Sequence, residues 1–253
     1  QAVIFKGEFA YNLGNIFADE LGAGLERAGY RVNVLDLRNP QECKLARDRN
    51  FYREHDLVFA VNAIRASVDT DDFRYYRDTG CVFVAMLIDP PLLQYSRLFY
   101  NNDILTCIDR SHLRFLDLYF KDRIPAVIRH LPHGGCRSTI APDPAEPRPY
   151  DLIFAGTFTD PNECYRQIET FSRGLRQVFF DAIDLLLSTD NLPVFDALSQ
   201  AMRQYGFDAV TDRDVFNTLV ANYGVLDRFI RAEKRLRSLL ALDRDGLKIH
   251  IWG

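Results

Sequence analysis

The chain has no CxxC pair, and its five cysteines (Cys43, Cys81, Cys107, Cys136, Cys164) are scattered, with no Cys/His cluster at metal-ligand spacing. A zinc ribbon and a disulfide framework are excluded, and no metal is expected. An odd, unpatterned count fits a reducing compartment. No apolar run approaches the roughly 20 residues that cross a bilayer as a helix. No transmembrane segment is therefore expected, and with no signal peptide at the start the expected location is the cytoplasm. HExxH, GxSxG and GxxxxGK[ST] are all missing. Their absence removes the zincin, nucleophile-elbow and P-loop signatures. Positive charge is not in surplus. A net charge of −4 argues against a dominant nucleic-acid surface, and no nucleic-acid partner is expected. Repeats and low-complexity tracts are lacking too.

What is present is a core. Hydrophobic residues make up 47% of 253 residues, with 19 Phe and 12 Tyr, enough for one large or two small α/β units. Ala2 to Phe5 reads as a buried strand ending at Lys6-Gly7. Ile16, Phe17, Leu21, Leu25 and Ala28 recur at helical spacing, and Gly29 stops that helix. Residues 30–37 (YRVNVLDL) alternate as a second strand. Strand, helix, strand is a βαβ unit with parallel pairing.

The alternation continues. Residues 40–54 read as a polar helix, 56–62 as a strand, and 69–79 as a charged, aromatic helix. Residues 81–88 (CVFVAMLI) form a continuous apolar run, as in a strand covered on both faces. Asp89-Pro90-Pro91 ends it. Residues 103–108 and 124–131 give two more strands, with a helix capped by Ser111 between them. The expected fold is a doubly wound parallel, Rossmann-like sheet over 1–141. A Pro- and Gly-rich linker over 142–150 follows. A second, partial α/β domain over 151–253 opens with DLIFA, carries a largely helical segment over 162–243 broken at Pro193, Gly206 and Gly224, and closes with KIHIW. Both ends read as cut, so a longer protein is expected.

In such sheets ligands bind at the carboxyl edge of the strands. There the chain places Glu8, Asn62, Asp89 and the His133-Gly134-Gly135 turn. Asp89, fixed by two prolines, suits a general base or a contact to a polyhydroxyl ligand; capping of the next turn is the plainer alternative. Arg97 is placed to pair with it. His133 offers a near-neutral base or an ordinary loop histidine. Gly156 and Thr157, directly after the DLIFA strand, allow phosphate to approach backbone N–H groups, and Trp252-Gly253 could line the same pocket. The first loop reads GEFAYNLG, not GxGxxG, so Asp36 stands where a ribose-binding acid would without the glycines a dinucleotide needs. The basic stretch 226–237 reads as a solvated amphipathic helix.

Three segments carry a resemblance: VIFKGEFAYNLGNIFADEL with GYRVNVLDL, LIDPPLLQYSRL, and LPHGG with the Pro-rich linker and YDLIFAGTF. Their order resembles bacterial glycosyltransferases of GT-B type, in particular the group similar to the spore-maturation protein CgeB. The resemblance implies an acceptor domain followed by a donor domain. It implies metal-independent transfer of a sugar, without a cofactor, from a nucleotide diphosphate sugar to a glycan, protein or small-molecule acceptor. On that reading Asp89 and His133 are catalytic. Glu8, Asn62 and Arg97 contact the acceptor, and Gly156, Thr157, Trp252 and Gly253 contact the donor. A non-catalytic Rossmann-like module that binds a ligand or partner, with the stretch 72–78 as a surface, is the alternative.

Overall fold

A computed structural model describes residues 1–9, 12–66, 75–99, 102–120, 123–124, 126–132, 134, 145, 147 and 149–252. His133, Gly135, Cys136 and Gly253 lie outside the described residues, as do much of the linker and part of the stretch 72–78. The chain divides into two compact units, Gln1–Thr139 and Ile140–Gly253.

Unit 1 is α/β. Its elements are β1 (Ala2–Lys6), α1 (Leu13–Arg27), β2 (Val32–Asp36), α2 (Pro40–Leu45), β3 (Leu57–Val61), α3 (Tyr75–Thr79), β4 (Val82–Leu87), α4 (Tyr95–Leu98), β5 (Ile104–Cys107), α5 (Arg110–Phe120) and β6 (Val127–His130). The strands form a six-stranded sheet in the order β2-β1-β3-β4-β5-β6. Every pairing is parallel. β1, β3 and β4 read as near-continuous apolar runs because helices cover both faces. Val3, Ile4, Phe5, Val58, Phe83 and Leu87 are buried. The edge strand β6 is mostly exposed. The chain builds outward from β1 to β2, then resumes on the other side with β3. The sheet's switch point therefore lies between β1 and β3.

Two local expectations are corrected. Residues 40–54 are not one helix. Asn39 caps α2 by accepting from the Gln41 N–H, with Pro40 in the first turn. A separate 3-10 turn, Arg49–Glu54, is capped by Asp48. Tyr52, fully buried, donates to the Ala46 carbonyl at 2.6 Å and pins the break. At α5 the cap is Asp109 rather than Ser111: the Asp109 carboxylate accepts from the Ser111 N–H at 2.7 Å. A carboxylate is the stronger acceptor for an orphan helix donor.

Unit 2 begins with β7 (Leu152–Ala155). It continues through α6 (Pro161–Glu169), α7 (Arg173–Ser188), α8 (Val194–Gln204) and α9 (Arg213–Arg244), and reaches β8 (Ile249–Trp252). β7 and β8 pair in parallel. Pro193 and Gly206 flank α8 as expected, Gly206 with φ +81°. Gly224 breaks nothing and lies inside the 32-residue α9. A glycine in a helix interior costs about 1 kcal/mol. Tyr223, Val225 and Leu226, all buried beside it, outweigh that cost. The basic stretch 226–237 is less solvated than its composition implies. Asp227, Phe229 and Ile230 are buried, and Asp227 pairs with Arg231.

Candidate functional site

The carboxyl edge of unit 1 gathers the end of every strand. At its switch point, between the loops after β1 and β3, the first loop is closed on itself. Asn15, buried at the start of α1, accepts from the Gly7 N–H at 2.9 Å through Oδ1. Its Nδ2 donates to the Gly7 carbonyl at 3.0 Å. A dinucleotide pyrophosphate would need those backbone groups, and they are taken. The Phe9 ring fills the space over Gly14, where a Cβ would stand 2.5 Å from it. Glu8 is exposed, and its charge reaches Arg38. Asp36, at the end of β2, is chelated by that Arg38, whose guanidinium holds the carboxyl below its ordinary range.

One strand over, the edge is polar and strained. Asn62 (φ +50°) and Ala63 (φ +53°) are consecutive left-handed residues just after β3. Asparagine tolerates this region; for alanine it costs about 1–2 kcal/mol. Backbone bonds hold the turn: the Asn62 N–H donates to the Met86 carbonyl at 2.7 Å, and the Ala63 N–H to the Ala60 carbonyl at 3.3 Å. Strain of this kind collects at functional sites.

Asn62 is buried, and its side chain organises the loop after β4. Its Oδ1 accepts from the Ile88 N–H at 3.0 Å. Its Nδ2 donates to Asp89 Oδ2 at 2.7 Å. Asp89 Oδ1 has no hydrogen-bond partner among the described residues. The carboxylate is thus oriented by one oxygen and open at the other.

Arg97 does not pair with Asp89 as the sequence suggested. Its guanidinium donates instead to the Asn62 carbonyl and to Gln94 Oε1, both at 3.0 Å. The left-handed turn directs that carbonyl toward α4, a displacement that no residue spacing records. Behind it, Asn102 donates to the Arg97 carbonyl at 3.2 Å and accepts from Arg65 at 2.9 Å. The Arg65 guanidinium lies 3.7 Å from the Phe83 ring centroid. Asn62, Asp89, Arg97, Asn102 and Arg65 therefore form one supported network.

On the next strand, Asp109 caps α5 and is held below its ordinary range, chiefly by the Ser111 N–H. His112, in the first turn of α5, is half-buried, and burial lowers its pKa against the opposing charges of Asp109 and Asp89. Nothing in the sequence singled out His112. A lone histidine in a helical stretch has no local signature. His130, ending β6, is exposed, with Nε2 3.2 Å from the Ile108 carbonyl.

In unit 2 the sequence-derived candidates fall around β7 and β8. The Gly156 N–H, offered above to a phosphate, donates to the Trp252 carbonyl at 2.9 Å and so extends the strand ladder. Arg235 on α9 donates to the Thr157 carbonyl at 3.1 Å, which sets a guanidinium beside that loop. Trp252, the chain's single tryptophan, is 72% exposed. A groove of about 280 Å³ runs nearby, lined by Phe158, Leu236, Leu239, Leu240, Ile249 and Ile251 with Asp243. Among the described residues no cluster of three or more His, Cys, Asp or Glu could hold a metal ion. No helix among them is long and apolar enough to cross a membrane.

Fold and site together define an α/β protein with a Rossmann-like parallel sheet and a polar, pre-organised carboxyl edge. No protein-family model, curated protein or solved structure matches the chain.

Proposed function

We propose that the chain is part of a glycosyltransferase of GT-B architecture, in which unit 1 binds the acceptor and unit 2 opens the nucleotide-sugar domain. One observation carries the reading: Asp89, at the carboxyl edge of a parallel sheet, is oriented through Oδ2 by Asn62 and open at Oδ1. A carboxylate held in this way suits the activation of an acceptor hydroxyl, since it needs no reorganisation to take the proton. The parallel β7–β8 pair, which restarts an α/β pattern after the linker, supports the two-domain part of the reading. Near the donor, Arg235 beside Thr157 supplies positive charge for a diphosphate leaving group. His133 is retained as a second catalytic candidate on the strength of the resemblance alone.

The test is nucleoside diphosphate release from a panel of UDP-, GDP-, ADP- and dTDP-sugars in the presence of mixed glycan acceptors. Release with one donor class, lost in Asp89→Asn, is the expected result. Asparagine keeps the contact to Asn62 but cannot take a proton. Binding of a sugar or nucleotide without release from any donor would replace the enzyme with a binding module.

A further inference from the structure

We propose that His112 is a second ligand-binding residue of the unit 1 edge, held neutral as its Nε2–H tautomer, and that it pairs with Asp89 as donor and acceptor for one hydroxyl-bearing ligand. The inference deepens the acceptor-side reading above and rests on it for the identity of the ligand.

The argument begins with placement. β4 and β5 are parallel neighbours, in register from Val84 against Ile104 to Leu87 against Cys107. The loop that carries Asp89 and the first turn of α5 therefore emerge side by side. Asp109 fixes that turn twice: its carboxylate accepts from the Ser111 N–H, and its carbonyl accepts from the His112 N–H at 3.2 Å. The His112 backbone is thus anchored at the edge, and the Asp89 charge acts on its ring.

The ring itself selects a tautomer. Nδ1 is enclosed and has no hydrogen-bond partner among the described residues, whereas Nε2 is not enclosed. A proton on Nδ1 would be a buried donor without an acceptor, the rarest and most costly kind of unmet group. An unmatched lone pair there costs less. The single proton of the neutral ring therefore sits on Nε2. A second proton would have to go to Nδ1, in the dry position and at the positive end of a helix. Two carboxylates favour that second proton: Asp89 from the loop after β4 and Asp109 from the loop after β5. Burial opposes them and prevails. His130, from the end of β6, acts on Asp109.

The outcome is an N–H donor at Nε2 within electrostatic reach of a carboxylate with an open oxygen, on the loops that follow neighbouring strands. A hydroxyl group is both donor and acceptor. It satisfies both partners at once, giving its proton to Asp89 Oδ1 while its oxygen accepts from His112. Carbohydrates and polyols carry such groups in number, and an anion would be repelled by Asp89 and Asp109. In this arrangement His112 orients the nucleophilic oxygen and does not take its proton.

Long-range ¹H–¹⁵N spectra of the imidazoles test the tautomer on the unmodified chain. The expected spectrum shows His112 as the neutral Nε2–H form at pH 7, with a protonation midpoint below that of an ordinary exposed imidazole. An Nδ1–H tautomer or an imidazolium at pH 7 would overturn the proposal. Titration with glucose, galactose and N-acetylglucosamine should move the His112 ring signals for at least one sugar. Lack of movement with all of them at high concentration would also overturn it. His112→Leu should weaken that binding about ten- to a hundredfold. His112→Gln, whose amide N–H reaches near the Nε2 position, should restore most of it. Equal weakening in both variants would assign the ring a packing role instead. If the sugar moves His112 but no nucleotide sugar is turned over, the hydroxyl site stands and the glycosyltransferase reading falls.

Discussion

Replacing Asn62 with alanine should destabilise unit 1 far more than a half-polar turn residue suggests. Two effects add. The Ile88 N–H, which now donates to Asn62 Oδ1 at 3.0 Å, would lose its acceptor in a part-buried turn. An unmet buried donor costs about 1–3 kcal/mol. Alanine must also adopt φ near the present +50°, where asparagine is tolerated. That adds about 1 kcal/mol. The expected loss is about 2–4 kcal/mol, or roughly 4–16 °C in Tm at about 2–4 °C per kcal/mol. Asn62→Gly removes the same bonds without the backbone cost and should be the milder change by about 1 kcal/mol. Asn62→Asp keeps the acceptor but sets a second carboxylate against Asp89. One of the two would have its pKa raised, so the variant should be nearest to wild type below pH 4 and lose stability as pH rises. Urea unfolding followed by circular dichroism reads all three. An Asn62→Ala loss below about 0.5 kcal/mol, or equal losses for alanine and glycine, would refute the reasoning.

Three further outcomes follow from the packing. Asp109→Ala should cost about 1 kcal/mol through the lost cap of α5, while Asp109→Asn should cost little, as read by denaturant midpoints. Because the Asp109 carboxyl is held below its ordinary range, its contribution is present above pH 4 and fades as the pH falls through its folded value. Gly14→Ala drives a Cβ to 2.5 Å from the Phe9 ring. It should lose about 1–3 kcal/mol, and Phe9→Ala in the same chain should make the glycine change nearly neutral. Burial pushes the Cys81 and Cys107 thiols up to about 12. Iodoacetamide at pH 8 should therefore leave both unlabelled in the native chain and label them after unfolding, as read by mass spectrometry of the peptides. Stability should also drop as pH rises above 9, where the unfolded thiols ionise and the folded ones do not.

The sheet was largely legible in the sequence because buried parallel strands write themselves as apolar runs, and residues 81–88 left little choice. Pro193 and Gly206 acted as the punctuation they resembled. Gly224 did not, since a glycine's local cost is small beside the buried neighbours that carry α9 past it. The site was legible in part. Asp89 and Asn62 stand after strand ends, which topology alone marks as the ligand edge. Their bond joins residues 27 apart and depends on two left-handed residues in succession. The second of these is an alanine, a residue that carries no turn signal. Arg97 was placed near Asp89 but serves the Asn62 carbonyl. The Gly156 N–H stands where a phosphate donor would, whereas the β7–β8 ladder uses it. His112 gave no sign, because only the adjacency of β4 and β5 brings its helix beside the Asp89 loop.

The central claim is that the oriented carboxylate of Asp89 activates an acceptor hydroxyl. The most direct measurement compares nucleoside diphosphate release by wild-type and Asp89→Asn chains, on whichever donor of the panel is turned over, with folding of the variant verified by circular dichroism. The account predicts release by the wild type and a loss of about a hundredfold or more in kcat for the variant. Release at the wild-type rate by a folded Asp89→Asn chain would contradict it.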